Sequence, residues 1–240
     1  RYYYETGQLQ DEREYQDHQL CGKRCTWYEN GVKEEESHWL DGKPHGTTTF
    51  WYENGNKESV TTFVHGKMDG TRTQWNEDGC IESVTSWKQD KKSGKAVFFF
   101  PNGKKKTEFI YVDDELVERT VYYENGRRKS HCCFKNNKKH GKLTTWYPTG
   151  QVESEISYVQ DVRHGPSIFY HPNGVRKSES HYVNGKRNGI RIQWYPNGQK
   201  ESESEWQNNV QHGYTYLWYE DGTPAARLYY ENGELIQETR

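Results

Sequence analysis

Residues 194–206 read Trp194-Tyr195-Pro196-Asn197-Gly198-Gln199-Lys200-Glu201-Ser202-Glu203-Ser204-Glu205-Trp206. An aromatic pair leads into an Asn-Gly dipeptide, and strict alternation follows. Ser202, Ser204 and Trp206 fall on one side of an extended chain and the glutamates on the other, the period of two of a strand with one buried and one wet face. Asn-Gly supplies the positive φ angles of a type I′ turn, whose twist matches the strands it joins. The stretch therefore predicts a hairpin tip followed by a half-buried strand.

The same pattern recurs at a period of 24 residues along the chain. With the first aromatic as position 1, copies begin at Tyr3, Trp27, Trp51, Trp75, Phe99, Tyr122, Trp146, Tyr170, Trp194 and Trp218, and only the step from Phe99 to Tyr122 is one residue short. Position 5 is glycine throughout, usually after Asn or Asp, as at Asn30-Gly31, Asn54-Gly55 and Asp221-Gly222. Position 13 is aromatic in every copy, from Tyr15 and Trp39 to Trp206 and Tyr230. Position 20 is a second glycine in most copies, preceded by runs of loop character such as Asp41-Gly42-Lys43-Pro44-His45-Gly46. Each unit thus reads as strand, tight turn, strand, loop, with small residues at positions 9 and 11 leaving room for the position-1 rings of the neighbouring strand.

The expected fold is all-β: an elongated open antiparallel sheet of about ten β-hairpin repeats, each touching only its neighbours. Residues 1–240 read as a single array, with an irregular repeat at 99–121 and incomplete repeats at both ends. In that irregular repeat Asp113-Asp114 stands where other copies have Asn or Asp before Gly, and the second glycine near Glu118 is missing.

Composition fits such a sheet better than a globule. Of 240 residues 31% are hydrophobic and 28% charged, and the mean hydropathy of -1.26 would by itself suggest disorder. Nine Trp, 19 Tyr and 8 Phe reverse that reading, because each ring can bury roughly 150–250 Å². No run approaches the ~18–20 apolar residues of a membrane span. The sequence opens at Arg1, which leaves a fragment or a processed product open. Cys21, Cys25, Cys80, Cys132 and Cys133 are odd in number and share no spacing, so a reducing, cytoplasmic or otherwise intracellular setting is expected.

Trp51-Tyr52-Glu53-Asn54-Gly55 followed by His65-Gly66-Lys67-Met68-Asp69-Gly70, and Trp194 to Gly198 followed by Gln211-His212-Gly213, resemble MORN repeats. They are most similar to the variant, slightly longer repeat of bacterial antitoxin-like proteins, which also occurs in large DNA viruses of amoebae. The resemblance covers the whole chain. It implies a hairpin array used for protein interaction or scaffolding, with phosphoinositide binding proposed for eukaryotic members and an antitoxin or immunity label for some bacterial ones. A virion component stays open beside the intracellular setting.

Residues that recur in every copy read as scaffold, since a catalytic constellation needs a few unlike groups converging at one place. No catalytic residue, metal site or cofactor is expected. Glu34, Glu36, Glu58, Glu153, Glu155, Glu201 and Glu203 read as a solvated face balanced by Lys33, Lys57 and Lys200. His45, His140, His164 and His212 share position 19, but neighbouring copies stand ~10 Å apart, too far to share one zinc ion. Hydrogen bonds at the sheet edge are expected for them. Cys132 reads as buried and Cys133 as an exposed thiol.

The aperiodic signal is charge. The net charge is -2, yet residues 88–142 carry 15 Lys+Arg against 7 Asp+Glu, while the flanking stretches are acidic. The candidate basic patch comprises Lys91, Lys92, Lys104, Lys105, Lys106, Arg127, Arg128, Lys129, Lys138 and Lys139, with an acidic protein, phosphorylated headgroups or nucleic acid as the class of partner that a local patch could meet. The expected function is a non-enzymatic scaffold binding another protein or self-associating through its sheet edges. The alternatives are an antitoxin neutralising a cognate toxin and a peripheral phospholipid-binding module with weak anionic lipid contact. The overall charge argues against nucleic acid.

Overall fold

The computed structural model describes residues 1–239. Among them there are 22 β-strands and no helix. The chain divides into two compact units, Arg1–Val117 and Glu118–Arg240, and in each the pairing is antiparallel between strands close in sequence.

The hairpin of Lys33–Leu40 with Lys43–Trp51 represents the rest. Asp41 and Gly42 join its strands with φ of 50° and 71°, the two positive values of a type I′ turn. Ten such pairs occur among the described residues, from Asp17-His18 to Asn232-Gly233, and Asp113-Asp114 is one of them with φ of 49° and 70°. The type I′ turns therefore stand where the sequence suggested loops. At Asn-Gly only the glycine is left-handed: Gly31 has φ 83°, and Asn30 is not among the positive-φ residues. Gly31 N–H donates to Tyr28 O and Tyr28 N–H to Val32 O, a type I turn closed by a left-handed residue.

Asparagine recurs before that glycine for a different reason. Asn54 Oδ1 accepts the Asn56 N–H at 2.9 Å, while its Nδ2 donates to Glu77 O of the next repeat at 2.8 Å. Asn30, Asn125, Asn173 and Asn197 make the same two bonds.

The position-20 glycines lie inside strands. Gly46 belongs to Lys43–Trp51 and Gly70 to Lys67–Trp75, at points where the register slips against the preceding strand, between Ser37 and Trp39 or Thr61 and Phe63. Each marks a β-bulge, which bends the strand. Glu115–Tyr122 has eight residues where its counterparts such as Lys91–Phe99 have nine. The residue missing from the repeat shortens this strand, which also lacks the position-20 glycine.

The two faces differ from expectation. A second slip, between Phe50 and Trp51, pairs Trp51 with Lys57 but Phe50 with Ser59, so position 1 shares a face with the glutamates and not with positions 9 and 11. Lys33 Nζ, bonded to Glu36, lies 5.4 Å from the Trp51 ring, and Tyr170 Oη meets Glu155 Oε2. Glu34, Glu36, Glu153, Glu155, Glu201 and Glu203 are accordingly half-buried, whereas Glu58 is exposed. On the other face Ser37, Ser59, Ser83, Ser154, Ser167 and Cys132 are buried. The position-13 rings help close that column: Trp39 Nε1 and Trp206 Nε1 each donate to a serine hydroxyl, Ser37 and Ser204, at 2.8 Å.

Rungs one repeat apart stitch the hairpins together. Tyr4, Tyr28 and Tyr52 donate to the carbonyls of Trp27, Trp51 and Trp75 at 2.8 Å. In the second unit Tyr123, Tyr147, His171 and Tyr195 do so to Trp146, Tyr170, Trp194 and Trp218. Each rung contributes about 0.5–1.5 kcal/mol.

Bulge glycines differ in what surrounds them, which a pair of substitutions tests. A Cβ on Gly70, at φ 127°, would sit 3.0 Å from Thr62 Cβ, whereas one on Gly141 would meet nothing within 4 Å. Gly141→Ala is expected to cost about 1–2 kcal/mol from left-handed strain alone, and Gly70→Ala more, read as a larger drop in the thermal midpoint. Equal drops would mean that the close approach to Thr62 is not a constraint.

Candidate functional site

The ten basic residues occupy four places. In the first unit Lys91 and Lys92 open the strand Lys91–Phe99, while Lys105 and Lys106 open Lys105–Val112, with Lys104 in the turn before it. Lys105 pairs with Phe99, so a strand length of roughly 25 Å separates the two clusters. The second unit repeats this arrangement: Arg128 and Lys129 open Arg128–Lys135 after Arg127, and Lys138 and Lys139 open Lys138–Trp146.

Several of these cations are engaged within the sheet. Lys105 Nζ bonds Glu108 Oε2 at 2.7 Å, and that bond holds the Glu108 carboxyl below its usual range. Lys106 lies over Phe100 and Lys129 over Tyr123. Arg127 Nη1 donates to the carbonyls of Pro148 and Thr149. Lys91, Arg128 and Lys138 are exposed. Lys106 also borders a shallow groove lined by Glu82, Phe98, Phe99, Thr107 and Phe109.

The position-19 histidines accept backbone N–H groups from the next turn: His45 from His65, His164 from Asn184 and His212 from Asn232, at 3.4–3.5 Å. His140 Nδ1 is buried and has no partner among the described residues. No cluster of three or more His, Cys, Asp or Glu side chains placed to hold a metal ion occurs among the described residues.

Cys132 is buried, whereas Cys133 is half-buried instead of exposed, its Sγ 3.9 Å from His131 Nε2. Burial pushes the Cys25, Cys132 and Cys133 thiols up, which disfavours the reactive thiolate. Glu36 is drawn the other way. Hydrogen bonds from Lys33 and then Lys23 lower its carboxyl to about 2.

A column that the period alone did not single out lies at position 18, opposite each position-13 ring. In the first unit Tyr15 faces Leu20, Trp39 faces Pro44 and Phe63 faces Met68, an apolar seam that ends at the pair Trp87 and Lys92. In the second unit Phe134 faces Lys139, Tyr158 faces Arg163 and Tyr182 faces Arg187. Each cation also reaches the ring of the next repeat: Lys139 lies 5.1 Å from Tyr158, Arg163 5.5 Å from Tyr182 and Arg187 4.6 Å from Trp206. Cations at this distance over ring faces are attracted by the ring quadrupole. The available signal was the change at position 18 from Leu20, Pro44 and Met68 to Lys139, Arg163 and Arg187.

The family model described as the MORN repeat variant matches residues 1–17, 20–41, 44–65, 117–136, 139–160, 163–184 and 187–208. The MORN repeat model matches residues 86–105 and 203–223. No curated protein matches the chain. One solved structure, the crystal structure of TcdB2-TccC3, aligns at 13% identity over 99% of this chain and 16% of that one, with a TM-score of 0.22.

Two measurements test these environments. Glu36→Gln should destabilise the protein by less than about 1 kcal/mol at neutral pH, because the pair is partly exposed. The folded-state pKa is depressed, so this contribution is full above the ordinary carboxylate range of about 4–4.5 and fades as pH falls toward 2. Denaturant titrations of the two proteins should therefore converge on acidification, and a constant gap would count against the ion pair. With a thiol reagent, exposed Cys80 should react at once, while Cys25 and Cys132 should wait for unfolding; immediate labelling of Cys132 would contradict its burial.

Proposed function

Because the chain belongs to the MORN repeat family, mostly in its variant form, we propose that it is a non-catalytic scaffold that holds another protein. MORN repeats are generally associated with protein or lipid interaction scaffolds. The observation that carries the reading is how the recurring residues are used. Tyrosine hydroxyls and asparagine amides at equivalent positions bond the main chain of the next repeat, and the serines and threonines at positions 9 and 11 line the buried column. The periodic residues build the sheet, and the aperiodic ones on its faces are left to choose a partner.

A protein partner is favoured over a membrane surface by the placement of charge. The basic residues stand at both strand ends, several of them on rings or carboxylates, whereas a flat anionic surface is best met by one continuous basic face.

The test is a cross-linking pull-down with the full chain as bait at physiological salt, with anionic vesicle flotation in parallel. A specific protein should be retained, and flotation should be weak and vanish as salt rises. Flotation that persists at physiological salt with no protein retained would replace this reading with lipid binding.

A further inference from the structure

The glutamate-bearing face of the second unit carries an apolar patch at positions where the central strands of the first unit carry threonine. Ile168 lies in the strand Val162–Tyr170, Ile190 and Ile192 in Gly189–Trp194, and Tyr214 and Tyr216 in Val210–Trp218. Ile168 pairs with Glu179, Ile190 with Glu205, and both Ile192 and Tyr216 with Glu203, so these side chains share one face. Ile190 is 52% exposed, Tyr214 39% and Tyr216 38%, while Ile168 and Ile192 are half-buried. Ring centroids 6.1 Å apart, from Tyr214 to Tyr216 and from Tyr216 to Trp218, make the patch continuous along its last strand.

The sheet itself does not require apolar side chains there. The equivalent residues of the first unit are Thr47, Thr49, Thr71 and Thr73. Thr73 pairs with Val60 and Val84 on its two sides in the register in which Ile192 pairs with Glu179 and Glu203, and Thr71, the counterpart of Ile190, is exposed. An isoleucine left half in water at such a place adds little to the fold. Contiguous exposed apolar groups rimmed by polar ones mark contact surfaces.

The carboxylates between the apolar strands select what can cover them. Glu179 holds Arg176 at 2.8 Å and Glu203 holds Lys200 at 2.6 Å, each a cation of its own strand. Glu205 is exposed and has no ion pair among the described residues. Arg227 bounds the far side, 5.4 Å over the Tyr214 ring. An anionic membrane or a nucleic acid would meet Glu205 as a like charge. A second copy docking through the same patch would bring these carboxylates against one another, because an isologous contact uses one surface on both subunits. A partner with apolar anchors and cations between them avoids both conflicts: the anchors cover Ile190 and Tyr216, and the cations reach Glu205 and Glu203.

We propose that Ile168, Ile190, Ile192, Tyr214, Tyr216 and Glu205 form a docking surface for a basic segment of a partner protein, in which aliphatic or aromatic residues are interleaved with lysine or arginine. The assignment rests on the scaffold reading above and gives it a partner chemistry and a place.

The test uses the full chain and three labelled peptides of equal length, followed by fluorescence anisotropy at physiological salt: repeated Lys-Leu-Ser, repeated Glu-Leu-Ser and repeated Lys-Ser-Ser triplets. The first should bind and the other two should bind about tenfold more weakly or worse, since one is repelled by the carboxylates and the other has no apolar anchor. The double variant Ile190→Thr/Tyr216→Thr, which installs the residue of the first unit at both positions, should lose about tenfold in affinity for the first peptide while keeping its circular dichroism spectrum. Glu205→Gln should lose about threefold. Should the double variant fail to fold, Ile190→Thr alone should show the weaker binding. Equal binding of the Lys-Leu-Ser and Lys-Ser-Ser peptides would overturn the site, as would undiminished binding by the folded variants. Capture of anionic vesicles or single-stranded DNA in preference to the Lys-Leu-Ser peptide would overturn it too. So would self-association in sedimentation velocity that Ile190→Thr/Tyr216→Thr abolishes, because a second copy would then cover the face. Each of these failures leaves the scaffold reading to its own pull-down, so the two are refuted separately.

Discussion

The hydroxyl of Tyr28 donates to the backbone carbonyl of Trp51, that of Tyr52 to Trp75 and that of Tyr147 to Tyr170, and in every case the bond joins one hairpin to the next. Such rungs matter because a sheet with no second layer has no shared apolar core to hold its repeats together. Asparagine amides reinforce them near the hairpin tips. At the opposite ends Gly66 N–H donates to Pro44 O, and Asp90 N–H to Met68 O, so the hairpins that carry a rung, such as that of Lys33–Leu40 and Lys43–Trp51, are tied to their neighbours at both ends of their strands.

The same lack of a second layer explains the composition. Interior positions must be shallow enough to be covered by rings of the same sheet, which is why the most buried side chains include Ser37, Ser167, Ala96 and Cys132 in place of large aliphatics. Rings on one face cover these small residues. Position-1 rings on the other rest beside glutamates and lysines, giving half-buried pairs such as Lys33 with Glu36. With both faces occupied by structural contacts, only a few columns change their chemistry from repeat to repeat.

Position 18 is one such column. It tolerates Leu20, Pro44, Met68, Lys139 and Arg163 alike, because each presents an aliphatic or planar surface to the neighbouring ring, and long cationic side chains can cover apolar surface with their stems. Fold stability therefore leaves this column free to vary.

Much of this was legible in the chain alone. A strict period, glycine at position 5 and aromatics at position 13 suffice for antiparallel hairpins in series, since both alternation and turn chemistry are local properties. The turn types and faces were not legible, because one-residue slips beside Trp51 and beside Gly46 move side chains from one face to the other, and a slip is set by pairing with a strand elsewhere in the chain. For the same reason Asn30 could be seen to recur, but its bond to Glu53 could not. The seam of Arg163 and Arg187 was hidden similarly. Arg163 and Arg187 stand 19 residues before Tyr182 and Trp206 in sequence, and they become their neighbours once the hairpins pair.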